Sequence, residues 1–320
     1  LLFLDPILYF FGASADTIGY ARDYMEIILA GNIMNQGGIA KRLVNFVMAI
    51  LGKLPGALLV TNVGTNALFG AISGSASAAA AAVGSMIRDG ADEAGYDPAL
   101  TAATNAASAP SGLLIPPSNA MITFSLAAGG TSVAALFMAG YLPGLIWALA
   151  CAIVGVLLAV RKGYKGTPGK FSWSNLFKAT LDAIPSLSLI IVVIGGIVGG
   201  IFSATEGSAI AVVYALFLAI CYKSVTLKGL WKIIVDSAKM SGMVVFLIRV
   251  SNILGWVMAF MQIPEAVASA LLGLTSNKYM ILLIMNVILL ISGTFMDVTP
   301  AILIFTPLFL PICQSFGMSN

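Results

Sequence analysis

Three stretches of this 320-residue chain set helix-breaking residues beside oxygen donors in otherwise apolar surroundings. The first is Gly70-Ala71-Ile72-Ser73-Gly74-Ser75-Ala76-Ser77. The second is Ser108-Ala109-Pro110-Ser111-Gly112, followed at once by Ile115-Pro116-Pro117-Ser118-Asn119. The third is Ser292-Gly293-Thr294-Phe295-Met296-Asp297-Val298-Thr299-Pro300. Glycine lets the chain turn, and proline removes a donor and stops a helix, so carbonyl oxygens are left without partners beside serine and threonine hydroxyls. A set of neutral or singly charged oxygens suits a hard cation such as sodium. Helices that restart after such breaks, at Ser75 onward and Thr299 onward, present N-terminal ends that suit a carboxylate. For any one Ser or Gly, close helix packing is the ordinary explanation. Three coincident breaks, two of them with proline, favour a binding site.

Other chemistry is closed off. The chain has no histidine, which removes Ser-His and Cys-His nucleophilic catalysis and His-based proton relays, and no convincing nucleophile–base pair is visible, so an enzyme is not expected. Cys151, Cys221 and Cys313 lie in apolar runs without metal-ligand spacing and read as packing residues; no transition metal and no organic cofactor is expected. A net charge of +3 spread over loops does not suit nucleic acid. Three charged residues in apolar context need weighing. Asp297 is costly at membrane depth and so reads as functional, although it is also well placed to cap a helix starting at Thr299-Pro300. Glu206, in Ser203-Ala204-Thr205-Glu206-Gly207, reads as a cap at least as readily as a ligand. Arg249, between Ile248 and Val250, is a candidate for a substrate anion, with a structural pairing role favoured over it.

The elements that must position these residues are membrane helices. The chain is 59% hydrophobic and 9% charged, with a mean hydropathy of +1.01. A soluble domain carries roughly a quarter charged residues. Spans are expected at 18–36 (weakened by Arg22, Asp23 and Glu26), 134–160, 183–202, 206–222 and 240–260, with an interrupted one at 99–128. Amphipathic pieces are expected at 39–52 and 264–274. The opening LLFLDPILYFFG lacks a basic stretch before its apolar run, so no cleavable signal peptide is expected. The loop 161–178 carries Arg161, Lys162, Lys165, Lys170 and Lys178, and the loop 223–239 carries Lys223, Lys228, Lys232 and Lys239 against Asp236. Two spans separate them, so both face the cytoplasm by the positive-inside rule.

Residues 56–87 then place Lys41, Arg42 and Lys53 on that same side only if the segment turns back at Ser73-Gly74-Ser75. Each arm, near 16 residues, reaches about 24 Å, enough to reach the bilayer middle but not to cross it comfortably. Residues 279–313 repeat the pattern around Asp297-Val298-Thr299-Pro300. An odd number of spans separates the two hairpins, so they enter from opposite sides, as in inverted-repeat transporters. The fold class expected is an all-α polytopic membrane protein: an inverted-repeat, elevator-type transporter with two re-entrant hairpins and broken helices. Its parts are an atypical N-terminal segment and first span (1–30), a first repeat with hairpin 56–87 and broken helix 99–128 (31–160), basic loops with connecting spans (161–240), and a truncated second repeat with hairpin 279–313 (241–320).

From about residue 29 to 320 the chain resembles the large membrane subunit of TRAP (tripartite ATP-independent periplasmic) transporters. The matching pieces are Leu29-Ala30-Gly31-Asn32-Ile33-Met34 with Gly37-Gly38-Ile39-Ala40, Gly70-Ala71-Ile72-Ser73-Gly74-Ser75, Ile115-Pro116-Pro117-Ser118, Leu136-Phe137-Met138-Ala139-Gly140 with Pro143-Gly144, and the run Thr205-Glu206-Gly207-Ser208 through Leu216. The resemblance implies an elevator-type secondary transporter of a bacterial or archaeal inner membrane, coupled to sodium, taking up an organic acid such as a sialic acid or C4-dicarboxylate. It implies three partners: a periplasmic substrate-binding protein, a small membrane subunit and the lipid bilayer. Carried over to this sequence, the cation-binding residues are Ser73, Gly74, Ser75, Ser108, Ser111, Gly293, Asp297 and Thr299, and the substrate-binding residues are Ser75, Pro116, Pro117, Ser118 and Asn119. The family's second broken helix, with a Thr-Pro-Pro motif, is expected after the second hairpin, beyond Asn320. Residues 4–28 look more like a segment of the MATE (multidrug and toxic-compound extrusion) family, so a fragment or fusion is expected, and a MATE-like cation antiporter or an inactive membrane fragment is the alternative reading.

Overall fold

The computed structural model describes residues 6, 9, 18–36, 38–166, 172–222, 224–275 and 277–318. These are helical throughout, with no strand among them: α1 Ile18–Gln36, α2 Ile39–Leu51, α3 Ala57–Ser73, α4 Ala76–Glu93, α5 Pro98–Ser108, α6 Pro110–Leu114, α7 Asn119–Ala127, α8 Val133–Lys162, α9 Trp173–Val198, α10 Ala204–Cys221, α11 Leu227–Phe260, α12 Ile263–Leu274, α13 Lys278–Gly293 and α14 Val298–Ser315. Among the described residues, α8, α9, α11 and α14 are long and apolar enough to cross a membrane. Two compact units form. One contains the described residues among 22–119 and 134–238, the other those among 2–21, 120–133 and 239–320.

In the first unit, α3 and α4 make a helical hairpin, packed on α2, α5 and α6, while α2 also packs on α9 and α9 on α10. The turn falls where the glycine was read. Gly74 has φ 63°, a left-handed conformation that a side chain resists, and its N–H donates to Gly70 O to close α3. Ser75 then caps α4, its Oγ accepting from Ala78 N–H at 3.3 Å. At 17 and 18 residues, the arms are each about 26 Å long. The amphipathic reading of 39–52 holds: Ile39, Ala40, Leu43 and Val47 lie on one face of α2 and are buried.

Two expectations are corrected. Part of each basic stretch is helix: Arg161 and Lys162 lie inside α8, Lys178 lies inside α9, and Lys228, Lys232, Asp236 and Lys239 lie inside α11, which is 34 residues long. Lysine is a good helix former and extends its ammonium to the polar boundary along a flexible stem, so charge marks the end of an apolar stretch without ending the helix. The spans read at 183–202 and 240–260 therefore start ten and thirteen residues earlier. The interruption at Pro110 is also slight. Proline sits at the first position of α6, where its missing N–H costs nothing, and Ala109 stays in the right-handed helical region at φ −55°, ψ −37°. The chain leaves the helix only at Ile115–Ser118, where Ile115 is extended (φ −81°, ψ 125°).

The base of the hairpin is clasped to the end of α8. Lys162 Nζ donates to Asp97 Oδ2 at 2.6 Å, Asp97 N–H donates to the Tyr164 hydroxyl at 2.9 Å, and the Tyr96 and Tyr164 rings stack at 4.2 Å. Gly56 meets Ala159 so closely that a β-carbon there would lie 2.4 Å from the alanine methyl.

In the second unit, α13 and α14 form another hairpin, with α12 packed against α14. Ile281 and Met285 of α13 meet Phe309 and Ile312 of α14 in a buried cluster. Asp297 caps α14, its Oδ1 accepting from Val298 N–H at 2.8 Å. The arms are 16 and 18 residues, and Pro307 and Pro311 lie within the second.

Two tests follow from these contacts. Gly112→Ala would place a β-carbon 2.3 Å from Gly70 Cα, so backbone must move. A loss of about 1–3 kcal/mol is expected in denaturation of the detergent-solubilised protein, against no loss for Gly195→Ala in open space in α9. The second concerns pH. Hydrogen bonding by Lys162, then by Ala99 N–H, holds the Asp97 carboxyl below the usual carboxylate range. A depressed folded-state pKa gives stability that is present above about pH 4, the unfolded value, and lost as pH falls through the lower folded value. Asp97→Asn is expected to flatten the acid limb of the melting-temperature profile below about pH 4. A limb as steep as that of the parent protein would show that the pair does not carry the linkage.

Candidate functional site

The hairpin tip is held between two close backbone approaches. A β-carbon on Gly31 of α1 would lie 3.0 Å from Ser73 Cα, and Gly70 of α3 crosses Gly112 of α6 so tightly that neither tolerates a side chain. Ser73 is buried, its hydroxyl donating to Gly70 O at 3.5 Å and Ser75 O at 3.3 Å. The Ser75 and Ser77 hydroxyls lie 3.1 Å apart on the outer side of the turn. From the facing broken helix, Ser111 Oγ donates to Ser108 O at 2.6 Å, so that carbonyl is not free. Gly144 of α8 supports the break at Ile115, since a β-carbon there would meet Ile115 N at 3.1 Å.

Beneath the tip lies a buried polar cluster that the sequence reading passed over. Asn66 Nδ2 lies 2.8 Å from Asn62 Oδ1, 3.0 Å from Asn105 Oδ1, 3.4 Å from Asn105 O and 2.8 Å from Ser108 Oγ. One amide nitrogen with two N–H groups thus meets four oxygens, while the Asn66 Oδ1 beside it is buried without a partner. Asn62 and Asn66 are fully buried, and the hydroxyls of Thr65 and Ser118 are buried with no hydrogen-bond partner. An unsatisfied buried hydroxyl is an exception in proteins and marks a place where a ligand oxygen or ion would be taken up. The signal in the sequence was Asn62 and Asn66, spaced i, i+4 on an apolar helix, with Asn105 far along the chain.

Of the residues read as candidate ligands, Ser73, Gly74 and Ser75 lie at the turn between α3 and α4, Ser108 and Ser111 on α5 and α6, Pro116, Pro117 and Ser118 in the break beyond α6, and Asn119 is buried where α7 begins. Gly293, Asp297 and Thr299 lie in the second unit around the α13–α14 turn; Asp297 is exposed and acts as a helix cap. Glu206 forms a reciprocal capping box with Ser203. Arg249 is exposed and has no ion-pair partner among the described residues. Two contacts tie α1 into the first unit: in a buried one Ser208 Oγ donates to Glu26 Oε2 at 2.7 Å, and in a half-buried one Asn32 Nδ2 donates to Ser237 Oγ at 2.9 Å. They give the motif residues Asn32 and Ser208 a structural role. Among the described residues, no group of three His, Cys, Asp or Glu side chains is placed to hold a metal.

Four apolar helices of spanning length among the described residues fit a multi-pass membrane protein. A profile described as "Tripartite ATP-independent periplasmic transporter, DctM component" matches residues 24–320, and the chain belongs to this family of inner-membrane transporter permeases, which are not enzymes. It is 51% identical over 291 residues to the uncharacterized protein YgiK of Salmonella typhimurium, covering 91% of this chain and 67% of that protein. It is 36% identical over 292 residues to the C4-dicarboxylate TRAP transporter large permease protein DctM of Pseudomonas aeruginosa, and 32% identical over 292 residues to the sialic acid TRAP transporter large permease protein SiaM of Vibrio cholerae. Each of these two alignments covers 91% of this chain and 68% of the relative. The family match reaches back to residue 24. Within the 4–28 stretch read as similar to a multidrug-extrusion segment, residues 4, 5, 7, 8 and 10–17 lie outside the described residues.

The cluster makes opposite predictions for two buried polar residues. Ser118→Ala removes a hydroxyl without a partner and is expected to leave unliganded stability unchanged or raise it by about 1 kcal/mol. Asn66→Ala breaks the shared network and is expected to cost about 2–4 kcal/mol. Chemical denaturation of both variants in one detergent, without ligand, measures the contrast; equal losses would mean that Ser118 is satisfied.

Proposed function

We propose that this chain is a sodium-coupled permease component that carries an organic acid across the inner membrane by an elevator movement. In this reading a periplasmic binding protein delivers the substrate and a small membrane subunit braces the permease. The observation that carries the proposal is the set of buried oxygens on Thr65, Asn66 and Ser118 that have no hydrogen-bond partner. Neutral buried oxygens without partners suit a small hard cation. Ser73, Gly74, Ser75, Ser108 and Ser111 hold one sodium ion, and Gly293, Asp297 and Thr299 contribute to a second. Ser75, Pro116, Pro117, Ser118 and Asn119 receive the substrate, whose carboxylate lies toward the N-terminal end of α4.

Relatives named for a C4-dicarboxylate and for sialic acid support a carboxylate as the common element. The re-entrant reading draws support from arm length. Arms of 17 and 18 residues, joined by a two-residue turn, are short for a hydrocarbon core about 30 Å thick and long enough to bring the turn to its middle. A sodium ion bound there neutralises the site, so the carboxylate enters a cavity that does not repel it and the two solutes move together.

The test is thermal unfolding of the purified protein across a sodium series, with potassium as control. Sodium at a hundred times its dissociation constant adds about 2.7 kcal/mol. Melting temperature is therefore expected to rise with sodium and not with potassium, and Ser73→Ala and Asp297→Asn are each expected to blunt the rise. A sodium response unchanged in both variants would place the ions elsewhere.

A further inference from the structure

A cleft of about 370 Å³, open along one side, runs between α5 and α8. Leu100, Ala103 and Ala107 line it from α5, and Trp147, Ala150 and Leu158 from α8, each set on one face of its helix. The polar groups on these walls are already committed. Thr104 Oγ1 donates to Leu100 O at 2.8 Å, while Trp147 Nε1 and Cys151 Sγ donate to Ala107 O at 2.8 and 3.5 Å. What remains open is hydrocarbon, so the inserted part of an occupant has to be apolar. From Trp147 to Leu158 the wall rises about 17 Å. One leaflet contributes about 15 Å, half of the hydrocarbon core. Spread over that length, the volume gives a section of about 22 Å², against about 80 Å² for a helix about 10 Å across. The cleft is too narrow for a helix and takes a single hydrocarbon chain.

Its two ends differ. At one, the Trp147 indole bridges to Ala107 O and closes the cleft. At the other, one turn beyond Leu100 and Leu158, Lys162 Nζ donates to Asp97 Oδ2 at 2.6 Å, which neutralises the acid there. Arg161, on the turn after Leu158, continues the same face of α8; it is exposed and has no ion-pair partner among the described residues. Lys165, also exposed, follows it. Arg88 and Asp92 lie elsewhere, lining a separate cavity with Pro98, Thr101 and Ala102 on the opposite face of α5. Uncompensated positive charge thus marks one end of an apolar slot one leaflet deep. We propose that this cleft holds one acyl chain of an anionic phospholipid, its phosphate at Arg161 and its methyl end toward Trp147. Basic residues cluster at the headgroup end, so the lipid belongs to the cytoplasmic leaflet. The site stands independently of the sodium-coupled reading.

The probe is phosphatidylglycerol with brominated acyl chains, titrated into the purified, delipidated protein in detergent and read by quenching of tryptophan fluorescence. Brominated phosphatidylcholine is the zwitterionic control. Saturable quenching is expected, with a component that disappears in Trp147→Phe. For that component phosphatidylglycerol is expected to half-saturate at about fivefold lower concentration than phosphatidylcholine, and Arg161→Gln to remove the preference. Ala103→Phe and Ala150→Phe fill the cleft from exposed positions, so the fold tolerates them, and both are expected to abolish the Trp147 component with either lipid. A Trp147 left unquenched by both lipids would mean that protein covers the cleft. That result, equal affinity for the two lipids, a preference kept in Arg161→Gln, or a Trp147 component surviving both phenylalanine variants would each overturn the proposal.

Discussion

A peptide group in hydrocarbon has to find its hydrogen-bonding partner inside the protein. That constraint governs this molecule more than any single contact. It makes the described chain helical throughout, and it means that a helix can stop within an apolar layer only where other protein atoms receive the exposed backbone. The first unit shows what that demands. Around the turn at Gly74 and the break at Ile115, neighbouring helices approach backbone to backbone through Gly31, Gly70, Gly112 and Gly144. Side chains are removed where the chain ends its hydrogen-bonding pattern, so that main chain can meet main chain. The glycines serve closeness at all four of these positions, and only Gly74 among the turn residues needs its own backbone freedom.

That closeness brings polar side chains together at low dielectric. Asn66 gathers oxygens from Asn62, Asn105 and Ser108, on two helices whose contact depends on the Gly70–Gly112 crossing. A cluster of this kind is stabilising only when its donors and acceptors balance. Here they do not: the Asn62 amide nitrogen, the Asn66 amide oxygen and the hydroxyls of Thr65 and Ser118 are buried without partners. Native interiors seldom keep such imbalances without a use for them. The same residues thus join the folding of the hairpin to its capacity to take up solutes.

Much of this was legible in the residues, and the failures have physical causes. The turn at Ser73-Gly74-Ser75 and the break at Pro116-Pro117 could be read directly, because glycine and paired prolines act locally. Pro110 was overread, because a proline at the first position of a helix leaves the chain nearly straight. The stretches 161–178 and 223–239 were read as loops from their charge, but lysine ends a hydrophobic run without ending a helix, so much of each is helical. Asn62, Asn66 and Asn105 went unnoticed because one amide in an apolar run carries little signal. Only the fold sets Asn105 beside a residue 39 positions earlier in the chain. Asp297 and Glu206 were weighed as ligand or cap, and both are caps in the structure.

The clasp at the foot of the first hairpin has a mechanical corollary. With Asp97 ion-paired to Lys162, Tyr96 stacked on Tyr164 and Gly56 seated on Ala159, the hairpin and the last turns of α8 are one stiff lever. A tilt of either one would carry the other with it.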